Sequence, residues 1–245
     1  MNSILLDIKN IEKIYGDGEN VTKALRGISF SVREGEFLGV MGTSGSGKTT
    51  LLNCIATIDK VASGEIFLRG EVITNKKERE LAKFRRNNLG FVFQDYNLLD
   101  TLSIYENIAF PLAISKMNHN DIKNKVMEVA DELGIIDIML KYPHEVSGGQ
   151  RQRAACARAM INNPQIVLAD EPTGALDSNS SMVLLDTLKK MNEKRGVTII
   201  MVTHDVLAAS YASRILLLKD GLICNEIFNK GISKQQFSEK ILKLI

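Results

Sequence analysis

Long apolar runs are missing from this chain of 245 residues, and a membrane-spanning helix needs ~20 such residues in a row. Stretches such as TIIMVT and RILLL are each cut short by polar residues, so any action at a membrane requires docking onto something embedded there. A surplus of one charge is missing too. Lys and Arg total 31 against 29 Asp and Glu, a net charge of +2, so bulk electrostatics gives no reason to expect nucleic acid or an anionic bilayer as the main partner. Cysteine is sparse. Cys54, Cys156 and Cys224 are far apart and form no CxxC pair, which argues against a disulfide framework or a zinc site and for reduced core thiols in a cytosolic protein. The opening MNSILLDIKNIEKIYG mixes acidic with apolar residues and has no small-residue cleavage site, so it does not read as an export signal. No internal repeat or low-complexity linker breaks the chain.

What is present is an ordinary globular composition, 44% hydrophobic and 24% charged, long enough for one or two lobes around a real core. LLDIKNI, ISFSV and FLGVM read as strands, with a polar loop, GDGENVTK, after the first. KTTLLNCIATI has helical spacing, GEIFLRGEVI reads as strand, turn, strand, ERELAKFRRN as a charged helix and LGFVF as a buried strand ending at Gln94. From about residue 96 the pattern changes: 104–114, 121–133 and 148–161 all read as helix, with no convincing strand between them. Strand signals return with QIVLAD, GVTIIMVT and RILLLKDG, separated by helical stretches at 180–194 and 206–211 and followed by an amphipathic helix at 234–244. The expectation is an α/β unit spanning residues 1–245. Its mostly parallel core covers about 1–95 and 164–245, an antiparallel β region lies near the N-terminus, and a helical subdomain at about 96–163 is inserted.

Between FLGVM and a helix lies GTSGSGKT, which fits the pattern of Gly, four residues, Gly, Lys, then Ser or Thr. The strand before it and the helix after it make the match specific. Residues Gly42, Thr43, Ser44, Gly45, Ser46 and Gly47 let backbone N–H groups turn inward around phosphate oxygens, and the helix N-terminus adds partial positive charge. Lys48 balances the β and γ phosphates, Thr49 offers a hydroxyl to Mg²⁺, and Thr50 follows in the first turn. QIVLADE supplies a buried strand that delivers Asp170 to its polar end to hold the magnesium shell, with Glu171 next to it, placed to take a proton from an attacking water. His204 follows another apolar strand, so its position favours a γ-phosphate contact. Gln94 ends LGFVF, within reach of magnesium or the attacking water. Tyr15 offers an aromatic face for adenine, although it equally fits a partly exposed strand end.

VSGGQ, with Ser147, Gly148, Gly149 and Gln150 opening a helix, forms a second anion site. The bland alternative is an ordinary helix start capped by serine. Lying in the helical insertion, the stretch does not reach a nucleotide held at Lys48 of the same chain. A two-fold pair resolves this, with each SGGQ facing the other copy's γ phosphate.

GTSGSGKT, Gln94, VSGGQ, IVLADE, GALD and His204, in this order, resemble the nucleotide-binding subunit of an ABC transporter, a P-loop NTPase with a RecA-like core. The resemblance covers practically the whole chain. It implies ATP and Mg²⁺ as cofactors: Tyr15 stacking on adenine, residues 42–49 around the phosphates, and Thr49 and Gln94 at the metal supported by Asp170. It further implies Glu171 as the catalytic carboxylate, His204 on the γ phosphate, Ser147, Gly148 and Gly149 acting in trans within an ATP-bound homodimer, and Asp177 linking the two sites. Val146 departs from the family's more usual leucine, a change of packing and not of the anion contacts.

CIATIDKVASGEIFLRG, FVFQDYNLLDTLSIYENIAFPL and MVTHDVLAASYASRILLLKDG resemble the branch of bacitracin-export-type, peptide-antibiotic-resistance ATPases, near the lipoprotein-release and macrolide-export ATPases. That branch implies an integral membrane permease with a large extracellular domain, a sensor kinase as a further partner, no nucleic acid, and a peripheral place on the cytoplasmic face of the membrane. The permease is expected to dock around residues 94–111. A regulatory ATPase of cell-division or lipoprotein-release type is the rival reading. The long coiled coil of chromosome-organising relatives and the paired domains of translation-associated ones have no counterpart here.

Overall fold

The computed structural model describes residues 3–17 and 20–244. Two sheets share one buried layer. β1 (Ile4–Tyr15), β2 (Thr22–Arg33), β4 (Ser63–Leu68) and β5 (Glu71–Val72) form an antiparallel sheet in the order β2-β1-β4-β5. β3 (Phe37–Met41), β6 (Leu89–Phe93), β7 (Ile166–Asp170), β8 (Thr198–Thr203), β9 (Arg214–Lys219) and β10 (Leu222–Phe228) form the second, in the order β10-β9-β3-β8-β7-β6. All of its pairs are parallel except β9 with β10.

α1 (Lys48–Ile55) is packed between the sheets, so Leu51, Leu52 and Ile55 share a cluster with Leu6, Ile8 and Ile11 of β1 and with Leu38 and Val40 of β3. The other face of the parallel sheet carries α3 (Ile104–Ile114), α4 (His119–Glu132), α5 (Gly148–Met160), α6 (Ser178–Arg195), α7 (Val206–Ala209) and α8 (Lys234–Leu242). α2 (Glu78–Asn88) leads into β6. The central strands are apolar on both faces because both are covered. Phe37 and Met41 point into one cluster, Leu38 and Val40 into the other.

Between Phe93 and Ile166 the described residues form helices and two short 3₁₀ turns, with no strand. Their apolar side chains, among them Ile108, Val126 and Ala157, belong to one continuous cluster with sheet residues such as Val92 and Val167. The 3₁₀ turns leave Leu140 89% exposed.

Several elements differ from the sequence reading. β2 begins at Thr22, inside the expected polar loop, because Leu25, Ile28 and Val32 reach the core while charged neighbours point outward. Gly18 and Glu19 of that loop lie outside the described residues. α7 ends at Ala209 and α8 at Leu242. β10 was not anticipated at all. LICNEIF buries only Ile227 fully, as befits an edge strand, yet DG before it is a strong hairpin signal between two apolar runs.

Cys54 and Cys156 are buried, and burial pushes both thiols up to about 12, but Cys224 is not the core thiol expected from the sequence: it is exposed on the edge strand β10.

The packing of α5 on β6 rests on a close approach at Gly90, where an added Cβ would lie 2.2 Å from the carbonyl oxygen of Ala159. Backbone cannot yield there as a flexible side chain can. Gly90→Ala is expected to cost ~1–3 kcal/mol in denaturant unfolding; an unchanged midpoint would show that the two elements separate freely.

Candidate active site

Register brings the polar ends of the parallel strands to one edge. Phe93 pairs with Asp170, Asp170 with Val202, and Met41 with Thr203. The next residues, Gly42, Gln94, Glu171 and His204, therefore leave the sheet side by side, where α/β sheets bind ligands. A cleft of about 770 Å³ opens at this edge, lined by residues 43–45 and 47–50 together with Gln94, Glu171 and His204.

Gly47 at the N-cap of α1 has φ 103, a left-handed conformation, and no side chain caps the helix. The amides of the first turn are thus left for an anion. Lys48 is 8% exposed. Its ammonium curls onto the loop and donates to the carbonyls of Gly42 (2.9 Å) and Thr43 (3.0 Å). The Ser46 hydroxyl is buried without a hydrogen-bond partner among the described residues, so the loop holds polar capacity it does not use on itself.

Asp170 ends β7, and its carboxyl accepts a hydrogen bond from the Thr49 hydroxyl at 3.3 Å. Burial, reinforced by the charge of Glu171, pushes the Asp170 carboxyl above the ordinary range against the pull of Thr49 and Lys48. A divalent cation would relieve that desolvation, and hydroxyl, carboxylate and amide oxygens are the hard donors magnesium prefers. The residues fit the ion.

Glu171 sits at φ 45, an uncommon backbone conformation for a residue with a side chain. Its N–H donates to the Val202 carbonyl at 2.9 Å. His204 holds both carboxylate oxygens: ring Nδ1 lies 3.0 Å from Oε1, and the backbone N–H donates to Oε2 at 3.3 Å. With Glu171 ionised, Nδ1–H is the donor of the ring contact. The carboxylate is thereby aimed, not free to rotate.

Tyr15 lies outside the residues that line the cleft and is 40% exposed. Its hydroxyl donates to Asp59 at 2.7 Å, and Lys13 stands 4.7 Å from the ring centre on one face. Burial and the bond to Asp59 raise the phenol above its ordinary value.

Ser147, Gly148, Gly149 and Gln150 also lie outside the cleft. Ser147 is the N-cap of α5: its hydroxyl accepts from the Gln150 N–H at 3.3 Å, and the Gln150 side chain accepts from the Ser147 N–H at 3.0 Å. This capping box gives Gln150 a local partner, which the sequence reading did not foresee. The two glycines have close neighbours, since a Cβ on Gly148 would meet the Tyr96 hydroxyl at 3.0 Å and one on Gly149 the Ser180 hydroxyl at 2.8 Å. Asp177 caps α6 by accepting from the N–H and hydroxyl of that same Ser180, which holds its carboxyl below the ordinary range. The SGGQ turn and Asp177 are thus neighbours of each other.

Some cleft residues were not marked as site residues by the sequence. Thr22, Lys23, Ala24 and Arg26 of β2 and Asp220 and Gly221 of the β9–β10 turn complete the lining. Gly221 also donates from its backbone to Ser46, bracing the phosphate loop at 3.0 Å.

Residues 25–174 match the family described as ABC transporter. The chain is 52% identical over 239 residues to the bacitracin export ATP-binding protein BceA of Halalkalibacterium halodurans, covering 98% of this chain and 94% of that protein. It is 41% identical to the macrolide export ATP-binding/permease protein MacB of Pasteurella multocida, covering 96% of this chain but 35% of that protein. Among solved structures it is similar to the dimeric ABC transporter cassette MJ0796, with TM-score 0.86 and 39% identity, covering 93% of this chain and 100% of that one. The same similarity holds for MJ0796 in a post-hydrolysis state bound to ADP and Pi. Sequence, fold and the residues around the cleft agree, and the chain belongs to the ABC transporter family as one of its ATP-binding cassettes.

Proposed function

We propose that the chain hydrolyses ATP in a two-fold dimer and passes the resulting motion to a separate membrane permease, in the service of resistance to bacitracin-like peptides. What supports the mechanism is one arrangement: the cleft gathers the phosphate loop, Gln94, Glu171 and His204, while the SGGQ turn lies outside it with Ser147 exposed.

Residues 42–50 hold the triphosphate through backbone amides and the Lys48 ammonium, and Tyr15 offers the ring face opposite Lys13 to the adenine. Thr49, Asp170 and Gln94 hold magnesium, which when bound neutralises charge on the phosphate oxygens. Glu171, aimed by His204, takes the proton of the attacking water, and His204 contacts the γ phosphate. Ser147, Gly148, Gly149 and Gln150 of the second copy present the α5 N-terminus to the same phosphate, and Asp177 stands at the junction of the two sites.

A second cavity, about 430 Å³, lies between β6 and α3 and is walled by Phe91, Phe93, Phe110, Pro111 and Ile114. Its apolar walls suit a short amphipathic helix of a permease. No helix among the described residues is long and apolar enough to cross a membrane. In this reading the permease is a separate protein and the chain works at its cytoplasmic side.

Similarity to BceA supports the resistance assignment. Deleting the gene should lower the inhibitory concentration of bacitracin-like peptides severalfold, and a copy encoding Glu171→Gln should not restore it. An unchanged inhibitory concentration with defective cell separation would overturn the resistance reading in favour of a division regulator.

A further inference from the structure

Gln152 lies on the inner face of α5, two residues past Gln150, with none of its surface exposed. Its Nε2 donates twice, to the Phe93 carbonyl at 3.2 Å and to the Pro172 carbonyl at 2.8 Å. Those carbonyls stand one residue before Gln94 and one residue after Glu171. The amide cannot be turned round, because its oxygen would then face two carbonyl oxygens. As placed, Oε1 is buried with no partner among the described residues. For stability alone this is no clear gain: the amide meets two carbonyls at the expense of one buried, unmet acceptor. What the amide alone supplies is a fixed spacing between two turns on separate strands.

The turn after Gln94 is closed by the Tyr96 N–H on the Phe93 carbonyl at 3.3 Å and the Asn97 N–H on the Asp95 carbonyl at 2.6 Å, but its backbone is strained. Tyr96 and Asn97 both have left-handed backbones, φ 61 and φ 49, which costs energy for residues with side chains. Arg158, also on α5, donates to the Tyr96 carbonyl at 2.9 Å and to the Asn97 carbonyl. One helix therefore grips this segment at both ends and, through Gln152, reaches the Glu171 turn as well.

We infer that Gln152 is a positioning residue for ATP hydrolysis: it sets the distance between Gln94 and Glu171 and makes that distance follow the movement of α5. The inference rests on the roles proposed above for those two residues. A nucleotide gripped through the phosphate loop does not sense the amide, but a water held between Gln94 and Glu171 does.

Gln152→Met and Gln152→Asn in the full chain test this. Asparagine keeps the amide but is one methylene too short to reach both carbonyls. Both variants are expected to lower kcat at least about tenfold while the Kd for ATP stays within about twofold, since small misplacements of catalytic groups cost rate and not affinity. Gln152→Met removes the unmet Oε1 but takes the donor from the Pro172 carbonyl, so its thermal midpoint should stay within a few degrees of the unmodified chain. Full-rate hydrolysis by either folded variant overturns the inference, as does a loss of ATP affinity that matches the loss of rate. Failure of both variants to fold overturns it too, because the amide would then be a requirement of the fold. Glu171→Gln run alongside separates the two claims: if it hydrolyses at full rate, the role of Glu171 falls and the inference with it. If it is inactive while the Gln152 variants are not, only the inference falls.

Discussion

Glu171→Gln should bind ATP normally, lose ~10²–10⁴-fold in the rate of phosphate release and accumulate as an ATP-bound dimer in size-exclusion chromatography. The substitution is nearly isosteric, and its remaining oxygen can still accept one of the two hydrogen bonds from His204. It removes the negative charge and the capacity to take a proton. Residues 43–45 and 47–50 of the cleft are untouched, so affinity is retained while chemistry stops. Phosphate release near the normal rate would show that another group accepts the proton, and the carboxylate assignment would be withdrawn.

Mixing two inactive variants should restore activity. Lys48→Ala removes the ammonium proposed to hold the phosphates, and Ser147→Arg puts bulk and a long side chain on the exposed α5 N-terminus. Each alone should lose at least ~10²-fold, the scale of deleting one preorganised electrostatic partner. In a mixed dimer both lesions fall in the same composite site, and the other site is whole. Random pairing makes roughly half the dimers mixed, each with one of two sites intact, so the rate should recover to roughly a quarter of normal. A site completed within one chain predicts no recovery, because every chain in the mixture carries a lesion. A mixture as inactive as its components would end the two-copy mechanism.

Much of the cleft was legible because its chemistry demands fixed residue types at strand ends. A glycine loop with lysine between strand and helix, an acidic pair ending IVLADE and a histidine ending MVTH imply one sheet edge, and the register places Gly42, Gln94, Glu171 and His204 along it. Other parts were not legible. β10 shows water most of its side chains, so its alternation is weak, and missing it hid the contribution of Asp220 and Gly221 to the cleft. Gln152 looks from its neighbours like one more polar residue in RQR. Only the tertiary arrangement shows that its face of α5 meets the ends of two strands. Gln150 has a local role that the sequence did not suggest, since it closes a capping box with Ser147 at the α5 N-terminus.

The unequal placement of the three thiols has a practical consequence. Cys54 and Cys156, shielded and held almost wholly protonated at neutral pH, are poor nucleophiles, whereas Cys224 stands in solvent on the outermost ribbon of the parallel sheet. The native polypeptide thus carries a single reactive thiol for maleimide dyes or spin labels, and distances between the two copies of the proposed dimer can be measured without engineering any cysteine in or out.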